Sequence, residues 1–256
     1  MKISIVQTDI FWEEKVTNLE KLEKELHTLA GNTDLVILPE MFNTGFSNNV
    51  MKLGEEPGAY TYKWMKNQAG TGDFGICGSF IVGEGGRFFN RWHFIGPKGN
   101  SYVYDKRHLF SPGNENKVFT AGTSRVVFSF RGVRICPNVC YDLRFPVWSR
   151  NRNDYDLLIN SASWPESRRD VWIALLKARA IENQCYVAGA NRIGTDGNNI
   201  SHSGESVIFS PRGEIISLGR SNEEYVISGE ISISDLNSFR GKFPVMNDSD
   251  DFTINI

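Results

Sequence analysis

Cysteine is scarce. Four stand in 256 residues, at positions 77, 136, 140 and 185, each in apolar, strand-like surroundings. That excludes a disulfide-built scaffold and suits a chain kept reduced in the cytoplasm. Cys136 and Cys140 are spaced C-x-x-x-C, without the C-x-x-C of redox and zinc sites. No second Cys/His pair stands nearby, so no metal site is expected. Histidine is equally sparse, with His27, His93, His108 and His202 the full set. Neither sign of charge dominates: the net charge is −2, which gives no global field for nucleic acid or an anionic membrane. No apolar run approaches the ~20 residues of a membrane span. The start, Met1-Lys2-Ile3-Ser4-Ile5-Val6-Gln7, alternates like a strand and lacks the h-region and cleavage site of a signal peptide. Fixed-period repeats and low-complexity linkers are also missing.

What is present is the composition of a soluble globular chain, and residues 1–256 fit one domain. Residues 2–8 read as a strand. Residues 13–30 carry Val16, Leu19, Leu22, Leu26 and Leu29 on one face of an amphipathic helix, stopped by Gly31-Asn32. Residues 34–38 form a buried strand ending at Pro39-Glu40. Residues 60–69 are helical, and 74–82 and 87–95 are strands joined across a glycine-rich turn. Further strands fall at 101–105, 125–130, 133–139 and 156–160. A second strong helix, 168–184, has Val171, Trp172, Leu175, Leu176, Arg179 and Ile181 on its buried side. Strands at 186–190, 205–209, 214–218 and 225–231 complete the pattern, and an acidic stretch lies at 247–251. This mixture of β-α-β order and hairpins predicts an α/β sandwich, two sheets covered by helices. Glu40, Lys106, Cys140 and Ser161 each stand just after a strand, on the rim where layered α/β folds build sites.

Cys140 is the most informative of these. The apolar run 133–139 ends at it, and the polar stretch with Asp142 and Pro146 opens what reads as a helix through Val147 and Trp148. A thiol at that junction would sit beside the positive end of a helix dipole, where a cysteine pKa falls. It needs a base. His27 lies on the first helix and His93 in a strand, while His108 and His202 show no orienting carboxylate, so a Cys-His pair is weakly supported. Glu40 follows an almost wholly apolar run and would be desolvated, its pKa raised. Lys106 closes the strand at 101–105 and would place an ammonium where charge develops on a carbonyl oxygen. A Glu-Lys-Cys set is chemically coherent. The glutamate takes the thiol proton and later activates water, and the lysine and the Tyr141 N–H stabilise the oxyanion. The cysteine forms a thioester as ammonia leaves an amide.

Three segments carry a resemblance: Leu38-Pro39-Glu40-Met41-Phe42-Asn43-Thr44-Gly45-Phe46, Tyr104-Asp105-Lys106-Arg107-His108-Leu109-Phe110 and Val139-Cys140-Tyr141-Asp142-Leu143-Arg144-Phe145-Pro146. In that order and separation they resemble the nitrilase superfamily of carbon–nitrogen hydrolases, over nearly the whole chain. Segments 178–184 and 191–194 add to it. The resemblance implies an αββα sandwich of four layers that pairs with a second subunit as a homodimer or higher homo-oligomer, and no cofactor. It implies Glu40 as base, Lys106 as oxyanion-stabilising lysine and Cys140 as nucleophile. A second glutamate follows the lysine in family members, and Glu115 is the candidate here. Together with Ser161-Ala162-Ser163-Trp164-Pro165, the motifs look like the omega-amidase branch. Its substrates are the terminal amides of 2-oxoglutaramate and 2-oxosuccinamate, with water as the second reactant. Such a substrate carries a carboxylate, for which Arg144 or Arg168 would serve, with Phe42, Tyr141 and Trp164 walling its carbon chain.

Competing readings stand beside these. The same family includes N-carbamoyl amino acid and diamine hydrolases and nitrilases, and a silent nitrilase-like binding protein would keep the fold. Arg144 is equally suited to pairing with Asp142 or Asp156, and Glu115 to a solvated loop. Lys106 alone would pass for a surface charge. Trp164 and Trp172 fit packing or dimer contacts, Glu182 fits a tie from the second helix to the site or the partner subunit, and Cys136, Cys77 and Cys185 fit the core.

Overall fold

The computed structural model describes residues 1–255. The elements in chain order are β1 (Lys2–Gln7), α1 (Lys15–Leu29), β2 (Leu35–Ile37), α2 (Val50–Leu53), α3 (Tyr60–Gly72), β3 (Gly75–Glu84), β4 (Arg87–Ile95), β5 (Ser101–Asp105), β6 (Phe128–Phe130), β7 (Val133–Val139), β8 (Leu157–Ala162), α4 (Arg169–Asn183), β9 (Tyr186–Asn191), β10 (Ile193–Thr195), β11 (Ser201–Ser203), β12 (Val207–Phe209), β13 (Ile215–Leu218), β14 (Tyr225–Glu230) and α5 (Ile233–Lys242). They build two six-stranded mixed sheets, ordered β14-β1-β2-β3-β4-β5 and β13-β12-β9-β8-β7-β6. The expected αββα layering is observed.

Period-two alternation assigns each strand's side chains to a layer. Ile3, Ile5, Leu35 and Ile37 of the first sheet face Ile135, Val139, Leu157, Ile159 and Ala188 of the second, forming the central core. The opposite faces carry Val6, Val36, Leu38 and Ile76, covered by Leu19, Leu22, Leu26, Met65 and Ala69 from α1 and α3. On the far side Leu158, Val187 and Val207 take Trp172, Leu176 and Ala180 from α4. Gly189 sets how closely α4 seats, because a Cβ there would lie 2.5 Å from Leu176 Cδ1 and 2.8 Å from Trp172 Cζ2. Burying one leucine side chain in such a layer contributes about 1.5–3 kcal/mol.

The two helices' apolar stripes are narrower than the sequence pattern suggests. Val16, Val171 and Ile181 are exposed, and Asn18 and Asn183 are buried in their place. No α-helix follows Cys140. A single 3₁₀ turn, Cys140–Arg144, ends at Phe145. Pro146 disfavours helical dihedrals in the residue before it, which explains the stop. The short β10–β11 hairpin, α2 and α5 are elements that the apolar patterning did not reveal.

The parallel strands position the site. β1, β2 and β3 run parallel, as do β7, β8 and β9. The ends of β2, β7 and β8 therefore meet at one rim, where Ser161 Oγ donates to the Leu38 carbonyl at 2.8 Å across the two sheets.

Candidate active site

Glu40 follows β2 by way of Leu38-Pro39 and is fully buried. Its Oε1 accepts from Lys106 Nζ at 2.7 Å and from Asn90 Nδ2 at 2.8 Å, and its Oε2 accepts the Ser163 N–H at 3.0 Å. Lys106 leaves the end of β5, its N–H held by the Asn90 carbonyl at 3.0 Å. Its ammonium lies between Glu40 and Glu115, 2.9 Å from Glu115 Oε2 and 3.1 Å from Oε1, and 5.3 Å from the Phe46 ring centre. Burial works against that charge, and the carboxylates of Glu115 and Glu40 outweigh it, so the lysine pKa is raised.

Glu115 is no solvated loop residue. It is fully buried, and its carboxylate accepts the Phe110 N–H at 2.6 Å and Asn90 Nδ2 at 3.0 Å. Burial raises its pKa, Lys106 opposes the rise, and the Glu40 charge adds to it. Glu40, Lys106 and Glu115 thus share one ammonium between two carboxylates, and Asn90 bridges the acids.

Cys140 adopts φ +45, a left-handed conformation that costs a non-glycine residue about 1–3 kcal/mol. The surroundings hold it there. Asp142 Oδ2 accepts the Val139 N–H at 3.0 Å and the Tyr104 hydroxyl at 2.8 Å, and Oδ1 accepts the His108 N–H at 2.8 Å and lies 2.8 Å from His108 Nδ1. Asp142 therefore clamps the cysteine turn to the lysine-bearing strand end. From behind, Arg179 of α4 donates to the Leu143 carbonyl at 2.6 Å and is itself held by Glu182 at 2.8 Å. The thiol is not acidified as the expected helix dipole implied. Burial raises its pKa well above the ordinary value, the Glu40 carboxylate adds to that, and Lys106 only partly offsets it.

Above these groups opens a cavity of about 450 Å³, lined among others by Glu40, Lys106, Cys140, Tyr141, Arg144, Trp164 and Arg168. Of the residues predicted for the substrate, Tyr141, Arg144 and Trp164 lie on this wall. Phe42 does not. The left-handed Met41 (φ +45) reverses the chain after Glu40, and Phe42 packs into the layer under α3, 6.0 Å from the Trp64 ring and 6.2 Å from Phe80. Arg144 is exposed over the Trp164 ring at 5.1 Å, and Arg168 lies over Phe110 at 5.7 Å. Neither has a carboxylate partner among the described residues. Asp142 is taken by Tyr104 and His108, and Asp156 by Arg134 and Arg240. The alternative pairing of Arg144 with either acid does not form.

His108 does have an orienting carboxylate, Asp142, which the sequence reading missed. Its ring stacks on Phe145 at 3.8 Å, outside the cavity wall. Asn90 and Ser163 were not anticipated, nor were Trp12 and Asp196, which line the cavity together with His202. Trp164 and Trp172 pack against each other at 5.5 Å. Among the described residues no three His, Cys, Asp or Glu side chains gather as metal ligands, and no helix is long and apolar enough to cross a membrane.

Residues 2–241 match the carbon-nitrogen hydrolase family. The chain belongs to that family. It is 41% identical to the omega-amidase YafV of Escherichia coli strain K12, over 99% of this chain and 98% of that one. It is 33% identical to the 2-oxoglutaramate amidase of Bacillus subtilis strain 168, over 96% of each. Among solved structures, XC1258 of Xanthomonas campestris is a CN-hydrolase superfamily protein with an arsenic adduct in its active site. It superposes with a TM-score of 0.97 at 40% identity, over 100% of this chain and 99% of that one. The family's chemistry, hydrolysis of carbon–nitrogen bonds, is one a buried carboxylate, ammonium and thiol can perform together.

Proposed function

We propose that this carbon-nitrogen hydrolase is an omega-amidase, releasing ammonia from the terminal amide of small 2-oxo acids such as 2-oxoglutaramate and 2-oxosuccinamate. Glu40 accepts the Cys140 proton as Sγ attacks the amide carbon. Lys106 and the Tyr141 N–H hold the oxyanion. Glu40 returns the proton to the leaving nitrogen, ammonia departs, and a thioester remains. Water, deprotonated by Glu40, then cleaves the thioester to the dicarboxylic acid and restores the thiol. Glu115 fixes Lys106 throughout. The whole chain acts as one cytoplasmic catalytic domain, without a cofactor, in a homodimer or larger homo-oligomer.

The observation that carries the substrate reading is the pair of guanidiniums, Arg144 and Arg168, that line the cavity without carboxylate partners. A substrate carboxylate supplies the missing counter-charge in a bidentate contact. The names of the E. coli and B. subtilis relatives agree with it. The test is ammonia release from 2-oxoglutaramate, an N-carbamoyl amino acid and a nitrile. The expected result is turnover of the first, with KM raised in Arg144→Ala or Arg168→Ala. Good turnover of the carbamoyl compound with none of 2-oxoglutaramate overturns it, and full activity in Cys140→Ala overturns the mechanism.

A further inference from the structure

The two buried acids differ in how many hydrogen bonds they hold, and the difference decides what each can do. An ionised carboxylate offers about four lone-pair sites. Those of Glu115 are full: Oε1 accepts from Lys106 at 3.1 Å and Asn90 at 3.0 Å, and Oε2 from Lys106 at 2.9 Å and the Phe110 N–H at 2.6 Å. Glu40 Oε1 is equally full, with Lys106 at 2.7 Å and Asn90 at 2.8 Å, but its Oε2 accepts only the Ser163 N–H at 3.0 Å. The Ser163 carbonyl in turn lies 4.0 Å from Cys140 Sγ. The open site is therefore on Glu40 Oε2, on the side of the thiol. Lys106 is committed as well. An ammonium has three N–H donors, and at rest they point at Glu40 Oε1, Glu115 Oε1 and Glu115 Oε2. None is free for a substrate oxyanion, so one must turn. The longest of the three goes to Glu115 Oε1, and when it leaves, Asn90 Nδ2 still holds that oxygen.

Asn90 touches every charged member of this set. It is buried within β4, its carbonyl accepts the Lys106 N–H at 3.0 Å, and its Nδ2 bonds both acids. The carboxylates fix the amide's orientation, since only the NH₂ can face them. Its Oδ1 has no hydrogen-bond partner. A buried, unpaired oxygen is destabilising, and an apolar side chain of like shape would avoid it. Stability alone does not explain an amide at this position. Nor does substrate contact, because Asn90 is not among the residues of the cavity wall.

We propose that Asn90 is a positioning residue: it holds Glu115 Oε1 while Lys106 turns one N–H to the oxyanion, and it keeps Glu40 Oε1 filled so that Oε2 receives the thiol proton. Only a hydrogen bond moves in the first of these steps, and Lys106 keeps its charge. The inference rests on the Glu-Lys-Cys mechanism above. Its test is kcat and KM on 2-oxoglutaramate for two variants of similar side-chain size, normalised to folded enzyme by circular dichroism. Asn90→Leu removes both donors and is expected to lower kcat about 10- to 100-fold, the worth of a hydrogen bond to a charged group, with KM unchanged. Asn90→Asp returns one donor while its own carboxyl is protonated, the form that burial beside Glu40 and Glu115 favours. When ionised it adds a third anion competing for Lys106. Its kcat relative to wild type is therefore expected to rise as pH is lowered from about 8 to 6 and to exceed that of Asn90→Leu at the acid end. Wild-type kcat in Asn90→Leu, or a pH-independent ratio in Asn90→Asp, overturns the proposal and leaves the amidase reading intact. The second criterion holds even where the leucine variant does not fold. Full activity in Cys140→Ala overturns both.

Discussion

Lys106→Met is the most demanding perturbation of the site. Wild-type Lys106 is one positive charge between Glu40 and Glu115, at 2.7 and 2.9 Å, with all three side chains excluded from solvent. Removing the ammonium leaves two carboxylates sharing only Asn90 as a common donor. Breaking a buried pair by deleting one partner costs about 3–5 kcal/mol. At about 2–4 °C per kcal/mol for a chain near this size, the melting temperature falls by roughly 6–20 °C. The loss depends on pH. The pKa of Glu115 already stands above its ordinary value through burial, and Lys106 is what restrains it. Without the lysine the native Glu115 carboxyl binds its proton more tightly than the unfolded chain does, so stability falls as pH rises through the carboxylate range. The variant therefore loses more stability than wild type between pH 5 and pH 8.

The double variant Lys106→Met/Glu115→Gln removes one of the stranded charges and is expected to regain about 1–3 kcal/mol without regaining ammonia release. Thermal unfolding at both pH values, with an activity assay on the same samples, separates the two roles. A single variant melting within 2 °C of wild type at pH 8, or a double variant no more stable than the single, refutes the charge accounting.

Burial holds Cys77, Cys136, Cys140 and Cys185 protonated in the native state, Cys136 up to about 12. The unfolded chain releases those protons at a lower pH, so above about pH 9 stability should fall by up to ~1.4 kcal/mol per thiol per pH unit. Urea midpoints at pH 8 and 10 measure this, and equal midpoints would contradict it. Because the Cys140 thiol pKa is raised, its alkylation by iodoacetamide should keep accelerating past pH 9, and a plateau near pH 7 would show a resting thiolate instead. Asp142→Asn turns an amide NH₂ toward donors on one side of the clamp, and misplacement of the cysteine turn by even 1 Å should cost kcat about 100-fold; unchanged kcat removes the clamp's role. Gly197→Ala drives a Cβ into Trp12, costs about 1–3 kcal/mol by overpacking, and should raise KM while leaving the alkylation rate of Cys140 untouched.

The spacing of apolar residues made much of the fold legible. Leu19, Leu22 and Leu26 recur at helical spacing and are all buried, and the strands at 87–95 and 101–105 lie where alternation puts them. Glu40, Lys106 and Cys140 were legible because each follows a strand, and parallel strands bring such ends together. Glu115 is different. It follows Asn114, whose φ of +61 turns the chain inward, and nothing in a polar loop marks that turn. Asn90 sits inside β4 and looks like any strand polar residue. The pairing of His108 with Asp142 joins segments 34 residues apart across two sheets, beyond the reach of local pattern. His202 belongs to a hairpin of two three-residue strands with too little apolar alternation to register.

The raised thiol pKa bears on how the proposed reaction starts. With Glu40 and Glu115 ionised, Lys106 protonated and Cys140 neutral, the four groups together carry one negative charge. Ionising the thiol to bulk water would add a second to a buried site, which is why burial and Glu40 oppose it. Passing the same proton to Glu40 keeps the total unchanged. The carboxylate's charge disappears as the thiolate's appears, and Lys106, next to Glu40 and coupled electrostatically to Cys140, faces a negative group throughout. A cysteine nucleophile in this arrangement requires no acidified resting thiol. It requires an acceptor whose protonation coincides with attack, so the thiol, its pKa raised well above the ordinary value, would contribute no limb near neutrality to a pH–rate profile.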